Sequence, residues 1–247
     1  MDEALYDEIF LLESRHWWFR SKRRIAQALL RRHLPPRAEG RLRVCDVGCG
    51  CGMMLLDLHA AGYEAVGVDD SPKALDYCRR RGALVTQGTL PDGLPLPPAS
   101  VDAALLLDVL EHVEDDGASL RAVLEIVRPG GIVIATVPAY RFLWTRRDEF
   151  HHHKRRYSRS GFRATLSAHP QGQVALLSFM NSVLFPMALA QRLLRRVWPE
   201  KKAATLGLPP RPINWALETA FACERFPLAW GARLPWGLSL VGVVRKV

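Results

Sequence analysis

Short apolar runs alternate with longer amphipathic ones along this chain. Residues 42–47, 64–68, 83–87, 101–107 and 132–137 have the length and composition of strands, and 101–107 is almost continuously apolar. A run of that kind suits a parallel strand covered on both faces. The Leu- and Ala-rich stretch 53–61 predicts a helix, and Ser71-Pro72 is an N-cap with proline at the first helical position, opening a helix to about residue 81. Two more strands are predicted at 174–179 and 238–244. The long connection between them holds helices at 183–197 and 214–226, separated by the Pro-rich 206–212. Residues 2–34 are predicted to be helical, and Ser160-Gly161-Phe162-Arg163 to begin another helix. Strands alternating with helices at this spacing call for a doubly wound, mainly parallel α/β sheet of seven strands.

The first strand runs into Asp46-Val47-Gly48-Cys49-Gly50-Cys51-Gly52. Glycines at alternate positions allow a tight turn and leave no side chains between backbone and ligand. The helix that follows points its N-terminal N–H groups at the same place. The spacing excludes two nucleotide sites. A dinucleotide fingerprint needs a small residue where Met53 stands, and a phosphate loop needs Lys then Ser or Thr, both absent.

The D-x-G-x-G-x-G form instead resembles motif I of the class I S-adenosylmethionine-dependent methyltransferases, and further segments resemble that superfamily in register. Asp69-Asp70 follows the second strand, Thr89-Leu90 the third, Asp108-Val109-Leu110-Glu111-His112-Val113 the fourth, and Arg128-Pro129-Gly130-Gly131 precedes the fifth. The resemblance covers roughly residues 42–140. It implies a Rossmann-like methyltransferase fold with S-adenosylmethionine as cofactor. It assigns Asp46, Gly48, Cys49 and Gly50 to the methionine end, Asp69 to the ribose, and Asp70, Thr89, Leu90, Asp108 and Val109 to adenine and its surroundings. Two positions depart from the superfamily pattern: Asp70 stands where an apolar residue is common, and Thr89 where an Asp is common.

Composition fits one enzyme domain: 1–40 as a helical lid, 41–140 as the cofactor-binding core, and 141–247 as the acceptor side. The 247 residues carry a net charge of +9, clustered at 15–24, 31–32, 79–81, 146–147, 154–156, 192–196 and 201–202. Such a surface suits nucleic acid, anionic headgroups or acidic small substrates, or simply solubility. Five cysteines with no metal-type spacing, an acidic start and no apolar run of ~20 residues lead us to expect a cytoplasmic protein without a transmembrane segment. Oligomer formation stays open.

Trp17-Trp18-Phe19 cannot all face one side of a helix, so at least one is expected to reach the core or the substrate opening. The "HWWF" segment resembles that of a group of bacterial members of the superfamily. Residues 151–157 resemble a "gH-x-r-R-Y" stretch of bacterial members, matched by His153, Arg156 and Tyr157. His153 could take a proton from the acceptor, with Tyr157 as its catalytic partner. Trp17, Trp18, His112 and Arg156 are the substrate-side candidates, and Arg156 and Tyr157 could equally anchor the loop. Three consecutive histidines rarely converge on one ion and no carboxylate helps at i+4, so no metal is expected.

The predicted activity is methyl transfer to a small or amphipathic organic acceptor. Nucleic acid is disfavoured: a [DN]-P-P-[YF] motif is missing after the fourth strand, which continues as Asp108-Val109-Leu110-Glu111, and no nucleophilic Cys lies there. An RNA-modifying enzyme using the basic clusters is the runner-up, and a non-catalytic protein of the same fold the third reading. The 183–197 helix, mixing Leu184 and Met187 with arginines, suits a pocket wall, a dimer face or contact with a membrane surface.

Overall fold

The computed structural model describes residues 3–35, 40–190 and 207–247. Its strands are β1 (Arg43–Val47), β2 (Glu64–Asp69), β3 (Val85–Gln87), β4 (Val101–Leu107), β5 (Val127–Pro138), β6 (Gly172–Met180) and β7 (Ser239–Lys246). They form one sheet in the order β3-β2-β1-β4-β5-β7-β6. The first five pair in parallel and β7 runs antiparallel to both neighbours. The doubly wound sheet expected from the strand–helix alternation is therefore present. Strand β5 starts earlier than expected, because Val127 pairs with Val101 and the Pro-Gly-Gly turn is absorbed as an irregularity in the ladder.

The pleat explains the apolar runs. In β4, Ala104 and Leu106 enter one core while Ala103 and Leu105 enter the other; in β5, Val133 and Ala135 oppose Ile132 and Ile134 in the same way. Side chains alternate between faces, so a strand buried on both sides has no polar positions to spare. The first core is closed by α5 (Asp116–Ile126) and α7 (Arg159–Leu166) through Leu120, Val123, Leu124, Phe162 and Leu166. The second is closed by α2 (Trp17–His33), α3 (Met53–Ala60), α9 (Arg211–Ala222) and α10 (Arg225–Ala229). Ser71 caps α4 (Pro72–Arg80) as expected by accepting from the Ala74 N–H, whereas α7 starts one residue before the expected Ser160 and is capped by Ser158, which accepts from the Gly161 N–H.

The N-terminal segment breaks into two helices. Ile25, Ala26, Leu29 and Leu30 make α2 a full member of the second helix layer. Helix α1 (Glu3–Leu12) instead lies over the glycine loop and α4, where Tyr6 packs with Cys51 and Ala74. Further on come a 3-10 turn (Arg141–Leu143), α6 (Arg146–Phe150) and α8, described over residues 185–190. The rest of the helix expected at 183–197, with Arg192, Leu193, Leu194, Arg195 and Arg196, and the Lys201-Lys202 cluster lie outside the described residues. The helix expected at 214–226 is two, with Glu224 between them. Its carboxylate accepts from the backbone N–H groups of Asn181, Ser182 and Val183 and so fixes the chain where it leaves β6. No helix among the described residues is long and apolar enough to cross a membrane.

Arg81 staples α1 to the glycine loop. Its guanidinium donates to the carbonyls of Cys51 (2.9 Å) and Phe10 (3.2 Å), pairs with the buried Glu13 carboxylate and lies over the Phe10 ring. Arg81→Ala would strand that carboxylate, and we expect a loss of about 2–4 kcal/mol in urea unfolding. A loss below about 0.5 kcal/mol, the range of a neutral surface change, would show that the staple is dispensable.

Candidate active site

Strands β1 and β4 are neighbours, yet the chain leaves them toward opposite halves of the sheet, and a crevice opens at their carboxyl ends. A cavity of about 560 Å³ occupies it. The glycine loop and the segment after β4 form its floor, the first turn of α2 one wall, and residues between 138 and 156 with the start of α8 the other.

Three glycines shape the floor, each for its own reason. A Cβ on Gly48 would come within 2.5 Å of a Val109 methyl, and one on Gly52 within 2.8 Å of the Cys78 sulfur. Gly50 has φ +54° and nothing within 4 Å of a hypothetical Cβ, so its free side is open space. Its N–H donates to Asp69 (2.8 Å), whose other oxygen accepts from the Ser71 N–H (3.0 Å). The loop is thus held by the acid at the end of the next strand.

This end of the cavity is electronegative. Burial, then the nearby Asp69 and Glu13 carboxyls, push Asp46 up to about 7. Burial also raises Asp69 to about 6 against the two N–H groups that stabilise its ionised form. A cationic ligand group would relieve both. S-adenosylmethionine has two such groups, the α-ammonium and the sulfonium, so the residues present fit its methionine end. Across the crevice Asp108, in the left-handed region at φ +59°, pairs with the Lys22 ammonium and accepts from the Thr136 hydroxyl (2.8 Å). Burial works to raise this carboxyl, but Lys22 and Thr136 outweigh it and hold it below the ordinary value.

The acceptor-side wall is apolar near α2. Trp17 and Trp18 stand edge to face with centroids 5.6 Å apart, and both meet Phe221 of α9, at 6.1 and 5.4 Å. Because the helix begins at the cavity, consecutive residues of its first turn, Trp17, Trp18 and Phe19, all reach it. The expectation that at least one aromatic would face core or opening understated this: the two tryptophans do both.

The opposite wall is organised by Asp148, which is almost wholly buried. It accepts from the Thr145 N–H and hydroxyl, from the Arg156 guanidinium through both oxygens (2.7 and 3.1 Å), and pairs with His153 Nδ1 at 2.9 Å. Burial opposes its charge, but His153 and Arg156 hold it well below the carboxylate range. His153 also stands edge to face with His112, centroids 4.8 Å apart. Beside them Glu111 is fully buried, lines the cavity and has no hydrogen-bond partner on either oxygen. Burial, then Asp108, raise it well above the usual carboxyl range, and burial, then His153, lower His112 to about 4.

Of the residues named from sequence, the cavity brings together Asp46, Gly48, Cys49, Gly50, Asp108, Trp17, Trp18, His112, His153 and Arg156. Asp69, Asp70, Thr89, Leu90, Val109 and Tyr157 do not line it. Asp69 lies under α1 and bonds the loop; Asp70 is exposed; Thr89 pairs with Gly93 in a local turn; Leu90 packs at the edge of the first core; Val109 seats on Gly48. The catalytic role expected of Tyr157 does not fit its position. Its hydroxyl shares its one proton between Asp116 (2.7 Å, the closer acceptor) and the Leu110 carbonyl (3.1 Å), and burial with the Asp116 carboxylate drives its pKa far up. It anchors the loop, as does Arg156, which also donates to the Ala139 carbonyl. Sequence reasoning missed Lys22, Glu111 and Asp148. Only Asp148 had a local signal, as the fourth residue of the Thr145-Arg146-Arg147-Asp148 capping box.

Residues 45–135 match the family described as Methyltransferase domain. The match spans less than half of the chain. A ubiquinone biosynthesis O-methyltransferase of Methylocella silvestris is 33% identical over 109 residues, 42% of each chain, so the match spans about two fifths of that relative's length. Among solved structures, a SAM-dependent methyltransferase of Thermotoga maritima, described as a possible histamine N-methyltransferase, superposes with TM-score 0.59 at 18% identity over 99% of this chain and 96% of that one. The [4+2]-cyclase SpnF superposes at 0.55 with 21% identity over 91% and 80%. At these identities the likeness shows the fold alone, that of the class I methyltransferases, and a cyclase among the neighbours means that activity must be argued from the site.

Two predictions follow from this geometry. A ligand ammonium at Asp46 favours the ionised carboxyl, so affinity for S-adenosylhomocysteine should rise about tenfold from pH 6 to 8, and Asp46→Asn should flatten the profile. The sign for folding is opposite. Asp46 and Asp69 bind protons more tightly when folded, so stability falls as pH rises from the ordinary carboxyl range through 6 to 7. Calorimetry showing an affinity independent of pH would remove Asp46 from the ligand. For Tyr157→Phe we expect a loss of about 1–2 kcal/mol in unfolding with turnover per folded molecule unchanged. Loss of turnover at full stability would restore it as a catalytic residue.

Proposed function

We propose that this protein transfers a methyl group from S-adenosylmethionine to a hydroxyl of a small or amphipathic organic acceptor. The observation that carries the reading is the two-ended cavity: an acidic glycine-loop floor faces an aromatic wall and a cluster of imidazole and carboxyl groups. Relatives named as ubiquinone biosynthesis O-methyltransferases support oxygen as the methylated atom.

When bound, S-adenosylmethionine supplies a methyl carbon already activated by a sulfonium. The protein's share is alignment and exclusion of water. Asp46 holds the α-ammonium, the open face of Gly50 lets the backbone approach, and Asp69 keeps the loop in place for the ribose. Trp18 and Trp17 cover the apolar part of the acceptor, and an aromatic face tolerates a neighbouring cation. His153, oriented by Asp148, stands where a hydroxyl proton would leave. Lys22 fixes Asp108 between the two ends.

S-adenosylhomocysteine should bind the wild type in calorimetry, and Gly50→Val, which fills the open face with a β-branched side chain at positive φ, should weaken binding at least about tenfold. Labelled cofactor incubated with a cell extract should then deliver its label to the organic-soluble fraction at high and low salt alike. Absence of binding by the wild type ends the proposal, and label passing only to RNA and only at low salt replaces it with an RNA-modifying activity.

A further inference from the structure

We propose that Glu111, His112 and His153 form a binding site for a divalent transition-metal ion, zinc in character, on the acceptor side of the cavity. One carboxylate oxygen and one nitrogen of each ring lie within 4.8 Å of one another. Tetrahedral bonds of about 2.1 Å place ligand atoms about 3.4 Å apart, so side-chain rotations of roughly an ångström close the site.

Two independent observations point to an ion. The first is the state of Glu111. A fully buried carboxyl with no partner on either oxygen is costly, and native structures keep such groups for a ligand or a function. Lys22 and Arg156, the nearby cations, are already paired with Asp108 and Asp148. The second is the setting of the rings. His153 gives Nδ1 to the Asp148 carboxylate, so its ring is oriented through one nitrogen and keeps the other free, and His112 stands edge to face against it at 4.8 Å. Ligating histidines are held in that way by carboxylates and backbone carbonyls.

The consecutive histidines had argued against a metal, but the fold does not use them consecutively. His152, at φ +56°, is exposed, and only His153 turns to meet the Glu-His pair from the other side of the crevice.

Two imidazoles and one carboxylate leave a fourth position open, the arrangement of catalytic rather than structural zinc. That position faces the cavity and suits an oxygen ligand. On the proposed methyltransferase reading it would take the acceptor hydroxyl; His153 then serves as a ligand in place of a base, and the proton passes to solvent as the ion lowers its pKa. The oxygen lone pair then forms the new O–C bond while the C–S electron pair stays with sulfur.

Cobalt(II) titration of the full chain, prepared without a polyhistidine tag, tests the site. One equivalent should bind with the intense visible bands of a four-coordinate ion, and zinc should displace it. Glu111→Gln, which leaves a neutral amide in the buried position, and His153→Ala should each weaken binding at least about tenfold, while His152→Asn should leave it unchanged. No cobalt binding at micromolar concentration, or binding that both cluster variants keep and His152→Asn loses, overturns the proposal. S-adenosylhomocysteine affinity measured on the same samples separates the two readings, since the metal site stands or falls on the spectra whether or not the cofactor binds.

Discussion

Parallel strands cannot be joined by hairpins, so each needs a crossover and every crossover starts at the same edge of the sheet. That constraint places the chemistry of this protein. The glycine loop after β1, Asp69 at the end of β2 and the Asp108–His112 segment after β4 all lie on one edge, and the chain departs from β1 and β4 in opposite directions. The gap between those departures is the cavity. The antiparallel β7 between β5 and β6 adds the second half of the enclosure, because the chain before it supplies α8, α9 and α10.

Within the gap the charges are sorted by element. Carboxyls from β1, β2 and the turn after α1 gather at the glycine floor, where burial, with Asp69 and Glu13 beside Asp46 and Asp70 beside Asp69, raises both aspartates above the ordinary carboxyl range. Cations come from α2 and the 146–156 segment, and three that line the crevice are tied to carboxylates: Lys22 to Asp108, Arg23 to Asp57, Arg156 to Asp148. The net charge of +9 is therefore a poor guide to what the cavity accepts. The floor favours a cation, and the paired cations serve as struts.

Asp148 shows how such struts make a functional wall from an irregular segment. A short helix of five residues has little stability of its own. Its capping box, the Arg156 fork and the His153 contact all converge on one buried carboxylate, so the segment holds its shape through charge-assisted bonds rather than through periodic packing. Tyr157 fastens the far end to Leu110 and Asp116, linking the wall to the loop after β4 that carries Glu111 and His112.

Much of this was legible in the chain itself. All seven strands but β5, which starts earlier, were read close to their final limits because residues buried on both faces must be apolar, and the glycine loop because its φ angles and close contacts exclude other residues. Asp46, Gly48, Gly50 and Asp108 reached the cavity as their positions after strands required. The sequence could not say that Tyr157 turns inward, that Thr89 spends itself on Gly93, or that residues 13–16 break the N-terminal helix in two. Nor could it bring Glu111 and His112 to His153 or Lys22 to Asp108, which lie about 40 and 86 positions apart. Periodicity records which face of an element meets the core, a local property. Which polar side chain meets which across a crevice depends on how the elements are stacked, and only the folded chain decides that.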